Sequence, residues 1–242
     1  NFSKKPIDQL AVVDLPEGGS ALLCLTDGLL RVHDLPSLAP RATQVTERAK
    51  GCYLFSLNWG GLGGYTGSLS GKESKQPGAG ESGLLLAAAT RSKKLVSFAW
   101  DSRRGDFVAQ HELLLPDTVR TMDWAGASVC LGFKREYHLV HVPSGQTLEL
   151  CAVGRKAGPC VTLLPDRELV VTQDQQGVVY GFDGKRVRSR DGGLWSEPPV
   201  ALLYSHPYLI GVLPARIEVR HLATRTLMQS LPVRDMRWIT KN

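Results

Sequence analysis

The fold can be read outward from Leu22-Leu23-Cys24-Leu25-Thr26-Asp27-Gly28-Leu29-Leu30-Arg31-Val32-His33. Two apolar runs flank Asp27-Gly28. Asp-Gly is a preferred two-residue hairpin connection, because both of its positions take positive φ. The segment is therefore read as two antiparallel strands joined by a tight turn. Comparable apolar strands begin at Leu85, Val129, Leu169 and Leu209. With residues 60–82 set aside, all five starts recur about every 40 residues, the period of a propeller blade with four short strands. Residues 60–82 are rich in Gly and Ser and read as a flexible insertion between two strands of one blade.

The rest of the chain extends this pattern. Each period parses into four strands; in the fourth these are 161–164, 169–173, 178–182 and 186–190. Arg216-Ile217-Glu218-Val219-Arg220 alternates charged and apolar residues, which predicts a strand with one buried, apolar face. Three repeats share text at the end of their third strand: Val32-His33-Asp34, Val140-His141 and Arg220-His221. Aligned this way, Asp34, His141 and His221 occupy one slot, where a polar side chain is expected to bond turn amides. Trp100-Asp101 also closes a third strand, in the manner of the WD dipeptide. The 25 Gly and 14 Pro among 242 residues leave little room for helices of ordinary length, about 11–12 residues.

The expected fold class is all-β, a β-propeller of about five four-stranded blades. Past the fifth repeat, Met236-Arg237-Trp238-Ile239 reads as the first strand of a sixth blade. A propeller ending there would expose strand edges. Residues 1–242 are therefore expected to form part of a larger propeller, cut at both ends.

Composition narrows function. Hydrophobic residues make up 43% and charged residues 21%, which suits a folded globular protein rather than a disordered one. The longest apolar run, 84–89, is far short of the about 20 residues that a spanning helix needs. No charged leader with an apolar core opens the chain. Cys24, Cys52, Cys130, Cys151 and Cys160 show no CxxC spacing and read as reduced thiols of a cytosolic protein. No HExxH, P-loop or dinucleotide fingerprint is present. His138 and His141 form an HxxH pair, but residues three apart on a strand face opposite sides. No catalytic residue, cofactor or metal is expected.

The net charge of +6 favours anionic partners. Basic groups fall near strand ends: Lys4-Lys5, Arg91 with Lys93-Lys94, Arg103-Arg104, Lys134-Arg135, Arg155-Lys156, and Lys185-Arg186 with Arg188 and Arg190. Aromatics are 7% and lie inside strands instead of interleaving with these groups. Nucleic acid is therefore not expected as the partner, although direct binding of anionic membrane or nucleic acid through basic loops stands as an alternative.

Several segments resemble one family. They include Asn1-Phe2-Ser3-Lys4-Lys5-Pro6-Ile7, Ala49-Lys50-Gly51-Cys52 and Lys93-Lys94-Leu95-Val96-Ser97-Phe98. More specific is Leu115-Pro116-Asp117-Thr118-Val119-Arg120-Thr121-Met122-Asp123-Trp124, followed by Val129-Cys130-Leu131-Gly132-Phe133-Lys134-Arg135-Glu136-Tyr137. Pro207-Tyr208-Leu209-Ile210-Gly211-Val212-Leu213-Pro214 comes near the end. Their order and spacing resemble the citron homology (CNH) domain, in the branch carried by tethering subunits of the HOPS complex. The resemblance implies a cytoplasmic scaffold, peripheral on late endosomes, lysosomes or vacuoles. It implies recognition of a Rab-family GTPase, membrane tethering before fusion, and contact with other HOPS subunits in a full-length protein. A related branch implies instead a signalling adaptor for TGF-β-type receptors or their mediators. Lys93, Lys94, Lys134, Arg135 and Tyr137, in or beside the most family-like segments, are the expected protein-binding residues.

Overall fold

The structure, a computed structural model, describes residues 5–58, 84–233 and 236. The insertion read at 60–82, Lys4, and all of the proposed sixth-blade strand but Met236 lie outside the described residues.

Twenty strands form five four-stranded sheets, each an antiparallel meander in chain order. The first blade holds β1 (Gln9–Asp14), β2 (Ser20–Thr26), β3 (Leu29–Asp34) and β4 (Pro40–Arg41). A short helix, α1 (Gln44–Arg48), leads into the second: β5 (Cys52–Asn58), β6 (Leu85–Thr90), β7 (Lys94–Asp101) and β8 (Asp106–Leu114). The third holds β9 (Thr121–Ala125), β10 (Ser128–Gly132), β11 (Glu136–His141) and β12 (Thr147–Ala152). The fourth holds β13 (Val161–Leu164), β14 (Glu168–Gln173), β15 (Gln176–Gly181) and β16 (Arg186–Leu194). The fifth holds β17 (Ala201–Ser205), β18 (Tyr208–Val212), β19 (Arg216–His221) and β20 (Leu227–Pro232). The five repeat starts read from the sequence fall on β2, β6, β10, β14 and β18, the second strand of every blade. Among the described residues these sheets are five blades of a β-propeller.

Local chemistry sets the turns. Asp27 and Gly28 have φ of 54° and 72°, as a type I′ hairpin requires. Asp34, Asp101, His141 and His221 each end a third strand. The carbonyl of each accepts the backbone N–H four residues on, from Leu38, Gly105, Gly145 and Arg225, at 2.7–2.8 Å. All four donors have positive φ. The side chains complete the turn: Asp34 and His221 meet turn amides, as expected, at 3.4 and 3.3 Å, whereas His141 meets a hydroxyl. Asp34 accepts from the Ser37 hydroxyl at 2.8 Å. Asp101 accepts from the Arg103 N–H at 2.9 Å, His141 meets Ser144 Oγ at 2.8 Å, and His221 accepts from the Thr224 N–H at 3.3 Å.

The core lies between sheets. Four apolar clusters join blades one and two, two and three, three and four, and four and five. Among the described residues none joins the fifth blade to the first, and every residue of β20 is exposed. This corrects the alternation read at β19. In that strand Glu218 is buried (2% exposed), while Ile217 and Val219 are only half-buried. The period is two, as expected, but the charged face is the one pressed against blade four. Glu218 pairs across the sheet with Gly211, and Arg220 with Leu209. Arg220 Nη2 donates to Glu218 Oε2 at 2.9 Å, and its guanidinium lies 5.5 Å from the Trp195 ring centre.

Candidate docking face

In an antiparallel meander, turns between second and third strands emerge at the same end as the connection to the next sheet. Turns between first and second, and between third and fourth, emerge at the opposite end. The backbone confirms the first grouping. The Gly51 N–H donates to Gly28 O at 2.9 Å, the Leu115 N–H to Lys93 O at 2.8 Å and the Val153 N–H to Arg135 O at 2.7 Å. The Lys156 N–H donates to Asp174 Oδ1 at 2.6 Å.

This topology sorts the basic groups. Arg91, Lys93 and Lys94 in blade two, Lys134 and Arg135 in blade three, and Arg155 and Lys156 on the way into blade four share one end. Lys5 sits there too, bound at 2.6 Å to Asp27, whose carboxyl that hydrogen bond and charge hold below its ordinary pKa. Arg120, on the connection from β8 to β9, joins them. It is isolated in the sequence, and only the meander shows which end it occupies. Arg103-Arg104 and Lys185 lie at the opposite end, where Arg104 faces Asp101 at 3.6 Å and Lys185 faces Asp183 at 3.5 Å. Arg186, Arg188 and Arg190 run along β16, and Arg190 binds Asp166 and Glu168 at 3.2 and 2.9 Å. The six groups therefore do not form one patch; blades two to four concentrate the unneutralised ones.

Within that end the cations differ. Lys93 has φ of 57° and is tied down, its Nζ donating to Pro116 O at 3.4 Å and facing Asp117 at 3.8 Å. Lys94 pairs with Glu112. Lys134 and Arg135 form the two-residue turn closed by the Phe133 N–H to Glu136 O bond of 2.9 Å. Both are exposed, and neither has an ion-pair partner among the described residues. A charge without a partner inside its own chain presents its full field to an approaching partner.

Tyr137 is not part of this face. It is fully buried (0% exposed) and packs between blades three and four. Its hydroxyl donates to Thr172 O at 2.8 Å and accepts the Cys160 N–H at 2.9 Å. Burial pushes the phenol pKa up, against the smaller lowering effect of Thr172. Strand alternation explains the difference: Arg135 ends the turn, while Tyr137 is the first residue of β11 to point into the inter-blade core.

Among the described residues no helix is long and apolar enough to cross a membrane. A separate cluster of Glu136, His138 and Glu149 gathers metal-ligating atoms on β11 and β12.

Comparison with known proteins gives a consistent result. The chain matches the CNH domain family over residues 1–242. It is 34% identical to a Vam6/Vps39-like protein of Mus musculus, over 99% of this chain and 24% of that protein. It is 31% identical to vacuolar sorting protein 39 of Arabidopsis thaliana, over 100% of this chain and 21% of that protein. The chain thus spans under a quarter of the length of these relatives. In solved structures it is similar to the AfRom2 CNH domain, with a TM-score of 0.65 at 15% identity, covering 96% of this chain and 73% of that one.

Proposed function

The chain belongs to the CNH domain family, and from that premise we propose that it is the non-catalytic interaction module of a HOPS-type tethering subunit. In this reading it recognises a membrane-bound Rab-family GTPase and supports tethering of endosomes to lysosomes or vacuoles. It would act from the cytoplasm as a peripheral component, alongside other HOPS subunits. A relative named as a vacuolar sorting protein supports the cellular setting. The observation that carries the contact itself is the gathering of Lys93, Lys94, Lys134 and Arg135 at one end of adjacent blades, with Lys134 and Arg135 unneutralised. A face of this sign attracts an acidic protein surface and speeds its docking.

The test is capture of Rab proteins loaded with GTP or GDP, by wild type and by a Lys134→Glu/Arg135→Glu variant. Expected are GTP-dependent capture that weakens as salt rises and at least tenfold weaker binding by the variant. GTP-independent capture, or a variant that binds as well as wild type, refutes the proposal. Capture by anionic vesicles lacking any Rab would favour direct membrane binding instead.

A further inference from the structure

We propose that Glu136, His138 and Glu149 form a binding site for a divalent transition-metal ion, best suited to Zn²⁺, on the outer strands of blade three. Glu136 and His138 are two apart on β11 and so share one face of the sheet. Glu149 lies directly opposite His138 on β12. That pairing depends on a β-bulge. Glu136 and Tyr137 pair with Ala152 and Cys151, so unbroken register would place Leu150 opposite His138. Instead the register shifts between Tyr137 and His138, and Glu149 takes the position. Bulges of this kind re-aim side chains and are common beside functional sites.

The ligand atoms of the three residues lie within 4.8 Å of one another. His138 Nε2 stands 3.1 Å from Glu136 Oε1, yet it makes no hydrogen bond and is shielded from solvent. The two atoms are close enough to bond but are not aligned to do so. Donors about 2.0–2.2 Å from one tetrahedral ion sit about 3.3 Å from each other, which matches this spacing. The Phe133 ring meets the imidazole edge-on at 5.2 Å and limits its rotation. His138 also lines a groove of about 220 Å³ between blades two and three, with Leu113, Phe133, Val140 and Thr147. An imidazole with two carboxylates suits Zn²⁺; Ca²⁺ and Mg²⁺ take oxygen donors. His141, the other member of the HxxH pair, is not in the cluster. It ends β11 and bonds Ser144.

Zn²⁺ itself is the probe, titrated into the 242-residue chain by calorimetry, with Ca²⁺ and Mg²⁺ in parallel. One Zn²⁺ per chain is expected, with no saturable Ca²⁺ or Mg²⁺ binding. His138→Asn and Glu149→Gln should each weaken binding by about 10–100-fold or more, the loss that follows even when only an outer-shell partner is removed. Glu149 is exposed, so its variant should keep the wild-type melting temperature without metal. His141→Ala should bind as wild type. In ¹⁵N imidazole spectra, Zn²⁺ should shift the His138 nitrogen and leave His141 in place. Absence of saturable Zn²⁺ binding overturns the proposal. So does binding that survives both ligand substitutions, or that moves His141 instead.

Discussion

Replacing Tyr137 with Phe deletes one oxygen from the seam between blades three and four and leaves the ring in place. That oxygen donates to Thr172 O at 2.8 Å and accepts from the Cys160 N–H at 2.9 Å, with Thr172 Oγ1 at 3.2 Å. The Cys160 N–H keeps a second acceptor, Thr172 Oγ1, at 3.2 Å. The Thr172 carbonyl loses its donor in a region closed to water. A buried group left without its partner costs about 1–3 kcal/mol. Because Cys160 is compensated, the expected loss lies in the lower half of that range, about 1–2 kcal/mol. In a chain of this size each kcal/mol lowers the melting temperature by about 2–4 °C. Differential scanning calorimetry should therefore show a fall of about 2–8 °C. Capture of a partner at 4 °C should be unchanged, because the hydroxyl faces the interior. An unchanged melting temperature together with weakened capture would refute this reasoning and return Tyr137 to the docking face.

Three further outcomes follow from the seams and the thiols. A Cβ at Gly211 would stand 2.5 Å from the Trp195 ring, so Gly211→Ala should destabilise the seam between blades four and five by about 1–3 kcal/mol, read as a lower urea midpoint with the slope unchanged. Burial alone would raise the Glu218 pKa, but bonds from Ser196 and Arg220 and the Arg220 charge outweigh it and hold the carboxyl below its ordinary value. Its contribution is therefore present above the unfolded carboxyl pKa and lost as pH falls through the lower folded value. Glu218→Gln should cost about 3 kcal/mol at pH 7, since it strands a largely buried Arg220, and the gap to wild type should close in denaturation curves taken toward pH 3. Burial pushes the Cys52 thiol up to about 12, and Cys24, Cys130 and Cys160 are buried as well. In the folded chain at pH 8 a thiol-specific dye should reach half-buried Cys151 first, and all five only in denaturant; rapid labelling of Cys52 in the folded state would contradict this packing.

Much of the fold was legible because its signals are local. The start of each second strand, the Asp27-Gly28 turn and the slot held by Asp34, His141 and His221 depend on residues within a few positions of one another. The short helix α1 was not foreseen: Gln44–Arg48 is a single turn's length in a connection, too brief for a periodic signal. The docking face was half legible. Basic groups were visible, but their sorting onto two ends depends on which turns each meander sends to the same side. Tyr137 differs from the other four residues because the turn ends at Arg135 and β11 begins at Glu136, and one further step along a strand reverses the direction of a side chain.

The all-β class, the 40-residue period and the turn chemistry are legible in the amino-acid sequence. These are set by alternation and by φ preferences, which each short segment carries alone. Which face of each strand is buried, that Arg220 lies over Trp195 while binding the buried Glu218, and that a bulge sets Glu149 opposite His138 emerge only in the folded chain. Those outcomes depend on packing between sheets and on register between strands, where a one-residue shift exchanges the two faces. No stretch of sequence read in isolation carries that information.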